Sequence, residues 1–186
     1  MTYGKHYTPL EVANIVKDRA LVLWRQMSSN NKPLVCDPSS GGGVFLEPDD
    51  VATDLDPNAP SVLDGRAKQL DFLLDDFPYE PDIFVGNPPF LYGGKIPKPY
   101  QTELYNRYKR GRRIDLCALF VWRTWELMKS PGLMAYICTN SICQGPNIQV
   151  LQDIIKQGGQ ILRVDKDIPW DKKSAAVTTT HLYIAK

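Results

Sequence analysis

Four short apolar runs, each closed by an acid or an amide, limit what this chain can fold into more than any other feature. Leu34-Val-Cys36 ends at Asp37, and Val51-Ala-Thr53 ends at Asp54. Gln69-Leu-Asp71 is a weaker third run, and Asp82–Val85 leads through Gly86 to Asn87. Continuous apolar runs suit strands buried on both faces, which means a mostly parallel sheet. Helical patterns alternate with them. Leu10, Val12, Ala13, Ile15, Val16, Ala20, Leu21 and Leu23 keep a helical period up to about Met27, with Thr8 as the expected cap and Pro9 in the first turn. Asp115–Met128, capped by Asp115, and Ile148–Lys156 read as two more helices. Gly132–Cys138, Ile161–Asp165 and Ala176–Ile184 complete seven expected strands. The fold class is α/β: a mostly parallel, twisted, seven-stranded sheet with helices on both faces. Such sheets bind ligands outside the carboxyl ends of their strands. Asp37, Asp54, Asp71 and Asn87 all fall there.

At 186 residues, with 43% apolar and 23% charged residues, the chain has enough apolar surface for one real core. No apolar run reaches the ~18–20 residues of a membrane span, and Met1–His6 lacks the pattern of a signal peptide. A cytoplasmic protein with no membrane partner is expected. Cys36, Cys117, Cys138 and Cys143 form no C-x-x-C pair, and the two histidines lie at opposite ends of the chain, so the spacing offers no metal site. The net charge is only +1 but it is segregated. Glu47 to Asp82 holds eleven acids against Arg66 and Lys68. The stretch from Gly93 to Arg113 holds Lys95, Lys98, Arg107, Lys109, Arg110, Arg112 and Arg113 against Glu103 alone. With Tyr92, Tyr100, Tyr105 and Tyr108 interleaved, this segment suits phosphates and unstacked bases; the ordinary alternative is a solvated loop.

Asp37-Pro-Ser-Ser-Gly-Gly-Gly43 is a glycine-rich turn led by a carboxylate. Glycines let backbone approach a ligand closely. A leading carboxylate suits a ligand carrying an ammonium group better than a pyrophosphate. Asp54 suits the two hydroxyls of a ribose, with an Asx turn toward Asp56-Pro57 as the competing use. Asp71 could accept from an adenine amino group.

Gly86-Asn-Pro-Pro-Phe90 carries the sharpest signal. Two prolines remove two donors and fix φ twice, leaving carbonyls in set directions. The Asn87 Oδ1 and the Pro88 carbonyl could together accept both hydrogens of one amino group. That draws the nitrogen away from planarity and exposes its lone pair. Phe90 supplies a flat face for the ring that bears the amine. Catalysis then rests on positioning and fixed dipoles.

Taken in order, Asp37–Gly43, Asp54-Leu-Asp-Pro57, Leu70-Asp-Phe-Leu73 and Gly86–Phe90 resemble the motifs of S-adenosylmethionine-dependent adenine-N6 DNA methyltransferases. Gly4–Pro9 resembles the segment before the cofactor motif in that family. Thr139–Gly145 resembles the post-strand segment of fused restriction-and-modification enzymes, and Ile168–Val177 the late segment that donates a second ring. The resemblance implies a Rossmann-like methyltransferase fold with S-adenosylmethionine held by Tyr7, Thr8, Asp37, Gly41, Gly43, Asp54, Asp71 and Phe72. It implies Asn87, Pro88, Pro89 and Phe90 as the catalytic loop. Trp170, with Ile168 as its competitor, would be the second stacking surface. Lys95, Arg107, Lys109, Arg110, Arg112 and Arg113 would meet nucleic acid. The substrate would be DNA, as a duplex with a flipped adenine or as a single strand. RNA adenine and protein glutamine are the rival acceptors.

Two departures stand out. Only ten residues separate Gly43 from Asp54, where the family usually fits a full helix. At 3.6 residues per turn, Val44–Glu47 holds about one turn before Pro48. The chain also reads as one catalytic domain over residues 1–186 without a target-recognition domain, so a separate specificity subunit is the expected partner.

Overall fold

The computed structural model describes residues 8–171 and 174–186. The chain runs through α1 (Leu10–Met27), β1 (Val35–Asp37), β2 (Val51–Asp54), α2 (Pro60–Leu63), β3 (Lys68–Gln69) and β4 (Ile83–Gly86). It continues through α3 (Lys98–Tyr108), α4 (Leu116–Leu127), β5 (Leu133–Thr139), α5 (Ile148–Lys156), β6 (Gln160–Asp171) and β7 (Ser174–Ala185). The seven strands form one sheet in the order β3-β2-β1-β4-β5-β7-β6. β1 to β5 pair in parallel, and β7 lies antiparallel between β5 and β6.

Two apolar cores sandwich the sheet. On one face Ala13, Val16, Ala20 and Trp24 of α1 pack on Ile83, Val85, Leu133, Ala135 and Ile137. On the other, α3, α4 and α5 pack on Phe84, Met134, Tyr136 and Cys138. Alternate residues of β4 and β5 therefore serve opposite cores, which is why these strands are apolar throughout. Cys36, Cys117 and Cys138 are buried free thiols, and Cys143 is half-buried.

The chain turns one way after β1, to β2 and β3, and the other way at β4. The switch point lies between β1 and β4, so a crevice opens at their carboxyl ends, beside Asp37 and Asn87.

Several expected boundaries move. Pro9, not Thr8, occupies the position before α1, and no side chain caps that helix. Asp115 does precede α4, but its carboxylate does not cap it; the carboxylate is turned toward other partners described below. The third strand is Lys68–Gln69 rather than Gln69–Asp71, and it pairs with Thr53 and Asp54 of β2. The hairpin of β6 and β7 is longer than expected. Its outer strand is solvated and carries register shifts at Ile161/Arg163, Asp165/Ile168 and Pro169/Asp171, which admit polar residues and a proline that a central strand would reject. The basic stretch after the proline motif is not a loop. It contains the eleven-residue α3, whose Tyr108 is buried and whose end is set by Lys109 in the left-handed region, φ 52°. Between Gly43 and Asp54 no helix forms, and the chain makes a tight turn over Gly41–Phe45.

Among the described residues no helix is long and apolar enough to cross a membrane, and no cluster of three or more His, Cys, Asp or Glu side chains is placed to hold a metal ion.

Candidate active site

β1 delivers Asp37 into the crevice as its last residue, 1% exposed. Its Oδ1 accepts from the backbone N–H of Ser39 at 3.0 Å. Burial pushes this carboxyl up to about 8; the Ser39 bond opposes that, Asp54 adds to it and Lys17 opposes it. A buried carboxylate that close to neutrality is short of positive charge. A cationic group placed against it would supply that charge.

β4 ends on Gly86, and the physical reason is Asp37. A Cβ on Gly86 would lie 2.6 Å from Asp37 Oδ1, and φ at Gly86 is +151°. The two strand ends touch through a glycine. Replacing Gly86 by alanine is expected to displace Asp37, destabilise the fold by about 1–3 kcal/mol and weaken cofactor binding. Thermal melts with and without S-adenosylmethionine will read both effects.

Thr8, Asp37, Ser39, Ser40, Gly41, Gly42, Val44, Phe45 and Asn87 line one cavity of about 150 Å³ at this point. The structure thus brings together Thr8, Asp37, Gly41 and Asn87 from the expected set. The Ser39 hydroxyl reaches the Asn87 carbonyl at 3.4 Å. Tyr7 lies outside the described residues.

Gly43, Asp54, Asp71 and Phe72 do not line that cavity. Gly43 takes part in shaping the turn, at φ +73°. Asp54 Oδ2 accepts from Gly41 N–H at 2.7 Å, and Oδ1 accepts from Asp56 N–H at 2.8 Å. The Asx turn therefore does exist, and the same carboxylate pins the glycine turn to the end of β2. Asp71 Oδ1 accepts from Leu73 N–H, Leu74 N–H and the Tyr100 hydroxyl. Burial raises its pKa from the usual carboxylate value. Phe72 is a correction: its ring is 2% exposed and packs in the core against Phe77, Phe84 and Phe120, so its side chain does not flank a ligand.

Pro88 is buried, and Pro89 and Phe90 are half-buried. Phe90 and Trp170 meet, ring centroids 6.1 Å apart and planes at 68°, and both rest on the α1-side core. Two rings from distant parts of the sequence thus meet three residues beyond Asn87.

Hydrogen bonds fix both rings' supports. Beyond the prolines, Leu116 N–H donates to the Leu91 carbonyl at 2.9 Å and Gly93 N–H to Asp115 Oδ1 at 3.3 Å. Asp115 Oδ2 also accepts from the Ser141 hydroxyl and from Asn147 Nδ2, both at 2.7 Å. This is why Asp115 leaves its helix uncapped. On the other side, Asn140 Nδ2 donates to Asp167 Oδ1 at 2.8 Å and Thr178 Oγ1 at 2.9 Å, and Asn140 Oδ1 accepts from the Thr180 hydroxyl at 2.7 Å. The segment after β5 therefore ties the proline loop to the hairpin that carries Trp170. In the sequence Thr139–Gly145 stands out by resemblance alone, and the fold gives its residues this role.

The basic set divides. Lys95, Arg107, Lys109, Arg112 and Arg113 are exposed, with Lys109 and Arg112 beside the Tyr105 ring. Arg110 is a correction. Its guanidinium lies 3.7 Å from the centre of the Trp122 ring and pairs with Asp153 at 3.1 Å, so it fastens the loop after α3 onto α4 and α5. Tyr100 and Tyr108 likewise turn inward, the latter donating to the Leu73 carbonyl, while Tyr92 and Tyr105 stay exposed.

A seven-stranded sheet of this order, with β7 alone reversed and a glycine turn after the carboxylate that ends β1, is the fold of the S-adenosylmethionine-dependent methyltransferases, and S-adenosylmethionine is the cofactor of that class. The M protein of the type I restriction enzyme EcoKI superposes on 98% of this chain and 44% of its own, with TM-score 0.65 at 15% identity, a likeness of fold. Residues 75–166 match the model of the Eco57I restriction-modification methylase family. Type II methyltransferase M.PaeR7I of Pseudomonas aeruginosa is 33% identical over 88 residues, covering 46% of this chain and 15% of the relative. DNA methyltransferase A of Bacillus subtilis strain 168 is 29% identical over 105 residues, covering 52% of this chain and 12% of the relative. The chain thus spans less than a sixth of either curated relative. In sequence and fold the chain is thus similar to methyltransferases of the restriction-modification type.

Proposed function

We propose that this chain transfers a methyl group from S-adenosylmethionine to the exocyclic N6 amino group of adenine in DNA. The observation that carries the reading is the sharing of one cavity by Asp37 and Asn87 at adjoining strand ends, with Phe90 of the same loop in contact with Trp170. The residues fit the cofactor: Asp37 is a buried carboxylate in want of a cation, and the glycine turn admits close approach. S-adenosylmethionine supplies an electrophilic methyl on a sulfonium.

Around it, Asp37 holds the ammonium of the methionine end, with Thr8 on the wall of the same cavity. Gly41 and Gly43 shape the cradle. Asp54, on the end of β2, holds the ribose, and Asp71 takes the adenine edge. Asn87 Oδ1 and the Pro88 carbonyl accept the two hydrogens of the target amine, and Pro89 keeps the loop rigid. Phe90 and Trp170 take the flipped base between them, Phe90 stacking and Trp170 covering. The nitrogen lone pair forms the new N–C bond as the C–S bond breaks, and one amine proton leaves to solvent. Lys95, Arg107, Lys109, Arg112 and Arg113 meet the phosphate backbone. Target choice is assigned to a specificity partner, a role supported by the likeness of fold to chains of type I restriction-modification systems.

The test is transfer of labelled methyl to unmethylated DNA, to total RNA and to protein in parallel, with the Asn87→Ala variant beside the native chain. Label in DNA at N6 of adenine that vanishes in the variant is the expected result. Label confined to RNA or protein would replace the substrate, and label that persists in the variant would overturn the site.

A further inference from the structure

The tight turn over Gly41–Phe45 has no helix behind it, yet its backbone must hold one shape at the cavity wall. Carbonyls at such a turn need donors. The Gly41 carbonyl accepts from the Ser61 N–H at 3.1 Å and the Ser61 hydroxyl at 2.8 Å, from the first turn of α2. The Gly42 carbonyl accepts from Arg66 Nη2 at 3.2 Å and the Gly43 carbonyl from Arg66 Nη1 at 3.4 Å. The Phe45 carbonyl accepts from Lys17 Nζ at 2.7 Å. Lys17 reaches in from α1 and also pairs with Asp50 Oδ2 at 2.7 Å, its side chain 12% exposed. The same Asp50 oxygen accepts from Glu47 N–H at 2.8 Å and so closes the far end of the segment. Asp64 holds the Arg66 guanidinium in place through Oδ2 at 2.7 Å. A Cβ on Gly43 would lie 2.6 Å from Arg66 Nη1, so glycine leaves room for the guanidinium as well as supplying the positive φ.

We propose that Lys17 and Arg66 are positioning residues of the cofactor turn, two cations that bind its outward carbonyls and so do the bracing that a helix would otherwise do. This rests on the cofactor reading of the same site. Lys17 has a second effect there. Its charge opposes the burial and the Asp54 charge that push the Asp37 carboxyl up, so it favours the form of Asp37 that an ammonium needs. Arg66 acts on the turn alone. The two cations therefore separate: losing Arg66 loosens the loop, while losing Lys17 loosens the loop and also pushes the Asp37 carboxyl further up.

Backbone hydrogen exchange of the cofactor-free chain and calorimetric titration with S-adenosylmethionine test this together. Lys17→Met/Asp50→Asn removes both charges of the buried pair, so no lone carboxylate is left behind. Arg66→Gln changes a side chain already 46% exposed and keeps the fold in reach. Both variants are expected to exchange faster at residues 41–46 and to bind the cofactor about tenfold more weakly. KM for the cofactor should rise while kcat at saturation holds, and Lys17→Arg should restore most of the affinity. Only the Lys17 variant should move the onset of the fall in affinity to a higher pH than in the native chain. Unchanged exchange at 41–46 in the folded Arg66→Gln chain, with unchanged affinity, would overturn the proposal. A native chain that fails to bind S-adenosylmethionine would overturn the cofactor reading, and the exchange data would still decide the role of the two cations.

Discussion

Replacing Asn87 by alanine is expected to lower methyl transfer by at least about 10³-fold while S-adenosylmethionine binding stays within a few-fold of native. Asn87 sits where β4 ends, after a glycine that touches Asp37 and before a buried proline. Its amide is presented by backbone that has little freedom to move. Alanine keeps that backbone and deletes the acceptor. The target amine then keeps its resonance with the ring, and the lone pair is not aimed at the methyl. The loss falls on kcat, because the acceptor matters most as charge develops on the nitrogen. Single-turnover transfer, with cofactor binding measured separately, checks the split. Near-normal turnover would remove Asn87 from the chemistry.

Asp37→Asn is expected to abolish cofactor binding in practice, weakening it by about 100-fold or more. It is also expected to make the cofactor-free chain more stable at alkaline pH. The sign follows from burial. In the unfolded chain this carboxyl titrates at its ordinary value of 3.8, and in the folded chain at about 8. The stability linked to its protonated form is fully present below the unfolded value and is lost as pH rises through about 8. Its charged form then costs the folded state up to about 6 kcal/mol. Asparagine carries no such dependence. An ammonium placed against Asp37 reverses the preference, so binding releases a proton when the pH is below 8. Cofactor affinity should therefore fall nearly tenfold for each pH unit below that value. Cys36 and Tyr136 also lie near Asp37, and burial raises both of their pKa values, so neither titrates in this window. Melting curves from pH 5 to 9, and titrations in buffers of different ionisation heat, check the two statements. A native affinity that does not change between pH 6 and 8 would sink the second.

Much of the site was legible in the chain because its signals are local. The acid or amide that closes each apolar run stands at a strand end in a parallel sheet whatever the remaining packing does. Asp37 and Asn87 accordingly meet at the switch point. The proline pair restricts its own backbone, so Gly86–Phe90 announces a rigid loop without help. Phe72 was misread because a ring beside a strand end looks the same in sequence whether it faces a ligand or the core. Arg110 was misread because a run of basic residues does not say which one has an aromatic ring and a carboxylate waiting for it. Trp122 and Asp153 supply both from α4 and α5. Asp115 looked like a helix cap and became the clamp between the proline loop and the segment after β5, through partners 22, 26 and 32 residues away.

By itself the sequence determined the α/β class, the positions of the strands that carry the crevice, the glycine turn and the proline loop, because each depends on apolar periodicity or on backbone restriction within a few residues. The tertiary structure alone decided which polar groups share a cavity, how Phe90 comes beside Trp170, and what braces a turn that has no helix behind it. Those outcomes depend on contacts between segments up to eighty residues apart. Burial, charge and hydrogen-bond supply are fixed there only when the sheet closes.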